Sequence, residues 1–171
     1  MSSFNSALER ILKHEGGLVD DPADSGGRTN FGITQNVYDE FRAAKPAPKQ
    51  LVDYILNDEV VDIYRENYWF PAGCALLDIA RRPKLALFHF DFAVNAGVRR
   101  AIQTLQLALG VMDDGVIGPV TMKHIRNLDE MGILLVYVRL RLKFYTGLVK
   151  KKPVQIKFLP SWVNRTIDCL N

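Results

Sequence analysis

Metal ligands, thiols and long apolar runs are all scarce in this sequence, and each scarcity removes a class of function. The three histidines, His14, His89 and His124, are scattered and form no ligand spacing, so no metal site is expected. His14-Glu15 begins like the helical zinc motif, but Leu18 stands where the second histidine is required. The two cysteines, Cys74 and Cys169, are too few for a disulfide framework. The simplest reading is two free thiols in a protein made in a reducing cytoplasm, with one disulfide across a long loop as the alternative. No apolar run reaches the roughly 20 residues that span a bilayer. The N-terminal stretch MSSFNSALERILKHEGG lacks the apolar core of a signal peptide. Neither a phosphate-cradling glycine loop nor a G-x-S-x-G elbow occurs.

What is present is a chain of 171 residues with 48% hydrophobic residues, enough for one compact domain or a domain with a small appended lobe. The net charge of +3 is divided unevenly. Residues 1–98 carry 10 Lys/Arg against 14 Asp/Glu, and residues 99–171 carry 12 against 5. A basic second half suits an anionic polymer such as nucleic acid, a membrane surface or a cell wall, and equally a solvated face with no partner.

Phe4, Leu8, Ile11 and Leu12 recur at helical spacing and predict a first helix with Glu15 in its last turn. Ser2 or Ser3 caps its start and Gly16-Gly17 end it. Residues 18–34, rich in Asp, Gly, Asn and Ser, predict turns and a short hairpin. Helical patterns follow over about 35–44, 50–69 (in one or two pieces), 84–97, 98–109, 119–128, 131–149 and 159–169. The stretch 84–97 is apolar on nearly every side, as in a buried helix. The fold class is therefore mainly α, with a turn-rich or β-hairpin insert near the N-terminus.

Glu15 falls on the apolar face of the first helix, at its negative end. Both circumstances favour the protonated carboxyl, the form from which a general acid starts. A frayed, solvated helix end accounts for the position equally well. A glycosidase needs a second carboxylate to activate water or stabilise the oxocarbenium-like transition state. Asp20, Asp21 and Asp24 all follow Glu15 closely enough to supply it, while Thr29 and Asn30 can orient the water. The alternative for Asp20, Asp24 and Asn30 is Asx hydrogen bonding within turns.

The run His14-Glu15-Gly16-Gly17, followed by Asp21-Pro22-Ala23-Asp24, Gly26-Gly27 and Thr29-Asn30-Phe31-Gly32-Ile33-Thr34, resembles glycoside hydrolase family 108. These are N-acetylmuramidases found as phage endolysins and bacterial wall-remodelling enzymes. Ile63-Tyr64, Tyr68-Trp69 and Phe90-Asp91-Phe92-Ala93-Val94-Asn95-Ala96-Gly97 are also similar to the family. The resemblance implies a lysozyme-like α+β fold, with residues 1–97 as the catalytic region. It makes Glu15 the catalytic acid. The order Glu15, Asp24, Thr29 is similar to the active-site spacing of phage-type lysozymes, with the threonine one place nearer, and this favours Asp24 over Asp20 and Asp21.

Leu105-Gln106, Leu109-Gly110, Asp114-Gly115, Ile117-Gly118-Pro119 and Thr121 resemble peptidoglycan-binding modules, so residues 98–171 are expected to bind the wall and to pack on the first region as one unit. A purely structural account gives the two glycines to turns and Pro119 to a helix start. Asp91 and Asn95, at i and i+4 on the buried helix, are expected to buttress the site through hydrogen bonds. Asp21, Asn30, Tyr68 and Trp69 complete the substrate-binding or supporting set.

The implied reaction is hydrolysis of the β-1,4 bond between N-acetylmuramic acid and N-acetylglucosamine, without metal or organic cofactor. A lytic transglycosylase and a non-catalytic wall-binding protein are the rivals. The expected partner is the peptidoglycan glycan strand, with a holin or secretion system for release from the cytoplasm. No nucleic acid, no stable membrane insertion and no oligomer are expected.

Overall fold

The computed structural model describes residues 3–15, 18, 27–45 and 47–170. These residues are mainly helical, with one two-stranded antiparallel sheet near the N-terminus, the class the sequence implies. They divide into two compact units, Met1–Asn67 and Tyr68–Asn171.

In the first unit, α1 (Ser3–Leu12) buries Phe4, Ala7, Leu8 and Ile11 along one stripe. The helix ends before Glu15 rather than carrying it in the last turn. The N–H groups of His14 and Glu15 both donate to Ile11 O, at 2.9 and 3.1 Å, which tightens the chain into a turn. The expected stop at Gly16-Gly17 lies outside the described residues. Strands β1 (Thr29–Asn30) and β2 (Ile33–Thr34) pair Thr29 with Thr34 and Asn30 with Ile33. Thr34 then caps α2 (Gln35–Ala43) by accepting from Val37 N.

A 3-10 turn (Val52–Tyr54) is tied to this hairpin from two sides. Arg28 forks onto Asp53, with Nε and Nη2 each 2.5 Å from a carboxylate oxygen. Gln35 donates to Gln50 O and accepts from Val52 N, standing in for a strand partner. Helix α3 (Asn57–Tyr64) is capped by Glu59, which accepts from Leu56 N and also from Tyr38 Oη and Arg42 Nη1, both at 2.7 Å. Burial, then the Glu59 carboxylate, pushes the Tyr38 phenol up to about 12. A π-helical turn, Arg65–Trp69, follows α3.

The second unit is built around α5 (Pro83–Ala96), buried from Leu85 to Ala93 at nearly every position, as its apolar circumference predicts. Pro83 opens this helix at its first turn, where a missing N–H has no cost. Helices α4 (Cys74–Ile79), α6 (Val98–Leu109) and α8 (Glu130–Lys151) pack on α5. Helix α7 (Pro119–Asn127) lies on α6, and α9 (Leu159–Asp168) on α8 after a 3-10 stretch, Pro153–Phe158. Periodicity does not mark α4 or that 3-10 stretch, because each is too short to show a repeat. Cys74 and Cys169 are free, buried thiols, so the disulfide alternative is excluded.

The Asp-Gly-x-Ile-Gly-Pro segment has a structural explanation. Gln106 reaches from α6 into the loop, donating to Asp114 Oδ1 (2.7 Å) and Val116 O (2.9 Å) while accepting from Gly115 N (2.8 Å). Gly115 has φ +82°, a conformation that favours glycine. Gln106 is almost wholly buried, so the loop supplies hydrogen bonds that its carboxamide would otherwise lack.

Candidate active site

Glu15 and the β1–β2 hairpin meet in the first unit. Phe31 and Gly32, the two central residues of the hairpin turn, both have positive φ, 51° and 72°. That is the turn geometry matching the twist of two antiparallel strands. Phe31 is an unusual occupant of such a position, and Tyr64 holds it there by donating its hydroxyl to Phe31 O at 2.8 Å. Gly32 is required for a second reason. A Cβ at this position would lie 2.6 Å from Glu15 Oε2 and 2.8 Å from Tyr64 Oη. The half-buried Glu15 carboxyl is thus seated against bare backbone, on a turn that α3 braces from behind. A carboxyl held in this way can present a proton to an entering leaving group at little reorganisation cost.

The other sequence candidates fall into three groups. Asp20, Asp21 and Asp24 lie outside the described residues. Thr29 and Asn30 sit on β1, with Thr29 Oγ1 donating to Gly27 O at 3.0 Å and the buried Asn30 Nδ2 donating to Val52 O at 3.3 Å. These bonds hold the hairpin in place. Tyr68, Trp69, Asp91 and Asn95 belong to the second unit. Trp69 is 4% exposed and packs edge-on to Phe90 with ring centroids 5.2 Å apart, so its ring is a core element. Tyr68 is half-buried.

Asp91 is fully buried and accepts from two arginines, Arg141 Nη2 at 2.5 Å and Arg165 Nε at 2.7 Å. Asn95 Oδ1 accepts from Tyr145 Oη at 2.6 Å, and Tyr145 Oη in turn accepts from Arg141 Nε at 2.9 Å. Asp91 and Asn95 therefore share one network that ties α5 to α8 and α9. The sequence signalled the two α5 residues. It gave no sign of Arg141 and Arg165, whose type alone marks only surface charge. Gly32 and Tyr64 stand inside recognised motifs, but the approach of both Glu15 and Tyr64 to the Gly32 position is not legible there. No group of three or more His, Cys, Asp or Glu side chains that could hold a metal occurs among the described residues.

The family model for glycosyl hydrolase 108 matches residues 8–97, just over half of the chain and spanning the whole Glu15–hairpin arrangement. The chain belongs to the glycosyl hydrolase 108 family. It is accordingly a glycoside hydrolase by family. A second model, described as a predicted peptidoglycan domain, matches residues 100–167. Among solved structures, the chain is similar to Brucella abortus SagA, with a TM-score of 0.75 and 29% identity over 98% of this chain and 95% of that one. The glycosyl hydrolase 108 chain thus shares its lysozyme-like, mainly helical fold with a protein of nearly the same extent. No curated protein matches it.

Proposed function

We propose that this glycosyl hydrolase 108 protein cleaves the β-1,4 bond between N-acetylmuramic acid and N-acetylglucosamine in peptidoglycan, with Glu15 as general acid. The observation that carries the reading is the seating of the Glu15 carboxyl against Gly32, on the hairpin turn that Tyr64 holds through Phe31 O. The family match and the predicted peptidoglycan domain support the same chemistry and the same polymer. In this reading Glu15 protonates the glycosidic oxygen as the bond breaks. Asp24 is assigned to assist, either by activating water or by stabilising the oxocarbenium-like transition state, and Thr29 orients that water. Residues 1–97 carry catalysis and residues 98–171 hold the wall. The enzyme reaches its substrate after release from the cytoplasm through a holin or a secretion partner.

The test is Glu15→Gln, which removes the proton donor and keeps the shape. Lysis of permeabilised cells, followed by turbidity, is expected to be abolished while the far-UV circular dichroism stays unchanged. Substantial residual turnover removes Glu15 from the mechanism. Mass spectrometry of the wild-type products separates the chemistries: reducing ends are expected, and 1,6-anhydro ends would mean a lytic transglycosylase.

A further inference from the structure

The segment that resembled a wall-binding motif is occupied in fixing its own loop through Gln106, which leaves open where the second unit holds its ligand. A groove of about 340 Å³ between α6 and α8 meets the requirement better. It lies wholly within the residues matched by the predicted peptidoglycan domain.

Its walls combine two chemistries. Leu107, Leu148 and Phe144 supply apolar surface, and Leu107 is 50% exposed. Arg100, Lys143 and Lys151 supply three exposed cations, and no carboxylate lines the groove. None of the three forms an ion pair among the described residues. Arg100 lies over the Phe144 ring, 5.5 Å from its centroid, so this cation is held at the groove rather than free in solvent. A neighbouring hollow of about 510 Å³ shares Arg100 and adds Arg99, again without a carboxylate. Cations without an ion-pair partner beside the exposed Leu107 suit a ligand that carries carboxylates and small apolar groups together.

We infer that the α6–α8 groove binds the peptide stems of peptidoglycan rather than its glycan. The inference rests on the wall-hydrolase reading above. Stem peptides carry free carboxylates next to alanine methyl groups, matching both chemistries of the groove. The sugars present mainly hydroxyl and acetamido groups, which call for neutral hydrogen-bonding partners and aromatic platforms instead of three cations. Anchoring by the stems would hold the enzyme on the wall while leaving the glycan strand free to enter the catalytic region.

The test uses full-length protein and compares bead-tethered glycan strands that carry their stems with tethered strands whose stems an amidase has removed. Wild type is expected to be retained by the stem-bearing strands and to bind the stripped strands about tenfold more weakly. The charge-reversed variant Arg100→Glu/Lys143→Glu/Lys151→Glu, with unchanged circular dichroism, is expected to bind both at the lower level. A soluble stem tetrapeptide is expected to shift backbone amide signals of α6 and α8 in wild-type NMR spectra and not in the variant. Equal wild-type binding to the two wall preparations overturns the proposal. So does binding to phosphatidylglycerol vesicles that depends on the three cations while strand binding does not. Release of reducing ends from both preparations is scored separately. If neither yields them, the hydrolase reading fails, whereas the binding comparison still decides the groove.

Discussion

Gly32 and Glu15 are in contact through an absence: the position a Gly32 Cβ would take is 2.6 Å from Glu15 Oε2. That distance is well inside any tolerable contact, and the same Cβ would meet Tyr64 Oη at 2.8 Å. Tyr64 is buried and bonded to Phe31 O, so the added methyl would push on the half-buried Glu15 carboxyl instead.

Gly32→Ala is therefore expected to displace the Glu15 carboxyl and to strain a backbone already at φ +72°. Activity should fall by at least about tenfold, and stability by about 1–3 kcal/mol. Wall turbidity and urea unfolding measure the two effects. Unchanged turnover would show that Glu15 need not sit against the turn.

Asp24→Asn is expected to lower turnover far more than Asp20→Asn or Asp21→Asn. An inverting hydrolase needs its two carboxyls roughly 6.5–9.5 Å apart, and the order Glu15, Asp24, Thr29 in the sequence favours Asp24 for the second. Rates of the three variants at matched stability decide the assignment. Three mild effects would favour a single-acid transglycosylase.

The buried Asp91 serves two guanidinium groups, and Arg141 Nη1 has no hydrogen-bond partner among the described residues. Asp91→Asn removes the buried carboxylate that Arg141 and Arg165 share and is expected to cost about 3–5 kcal/mol. Arg141→Met leaves Asp91 paired one to one with Arg165 and removes the unpaired nitrogen, so its cost should be smaller. Urea midpoints of the two variants test the order. The reverse order would show that Arg141 contributes more through Phe88, Phe92 and Tyr145 than through charge.

Stability should fall as pH drops from about 6.5 to about 4. His89 is fully buried, and burial pushes its imidazole down to about 4 against a raising hydrogen bond to Ala72 O. The unfolded chain binds the extra proton throughout that window while the folded one does not, so unfolding is favoured there by up to about 3 kcal/mol. The Tyr137 hydroxyl faces both His89 Nδ1 (2.7 Å) and Ala101 O (2.9 Å) and has one proton to give. Urea midpoints across the window, with an NMR titration of His89, check the sign. A His89 that titrates at its ordinary value would remove this contribution.

Local order in the chain determined more of this protein than its modest charge and scarce metal ligands suggest. The stripe of Phe4, Leu8 and Ile11 and the apolar circumference of residues 84–97 specify helices, because helical neighbours recur within four positions. The ordered motif from His14 to Thr34 specified the family for the same reason, being a continuous run. Tertiary structure decided the rest. It ended α1 short of Glu15, brought Gly32 to its carboxyl and set Tyr64 against the same turn. It gave Asp91 two arginines that lie 50 and 74 positions away. It spent the Gln106–Asp114 motif on a loop and left the cations of α6 and α8 facing a groove. Such pairings depend on which surfaces burial forces together, and a repeat of three or four residues carries no record of a partner that distant.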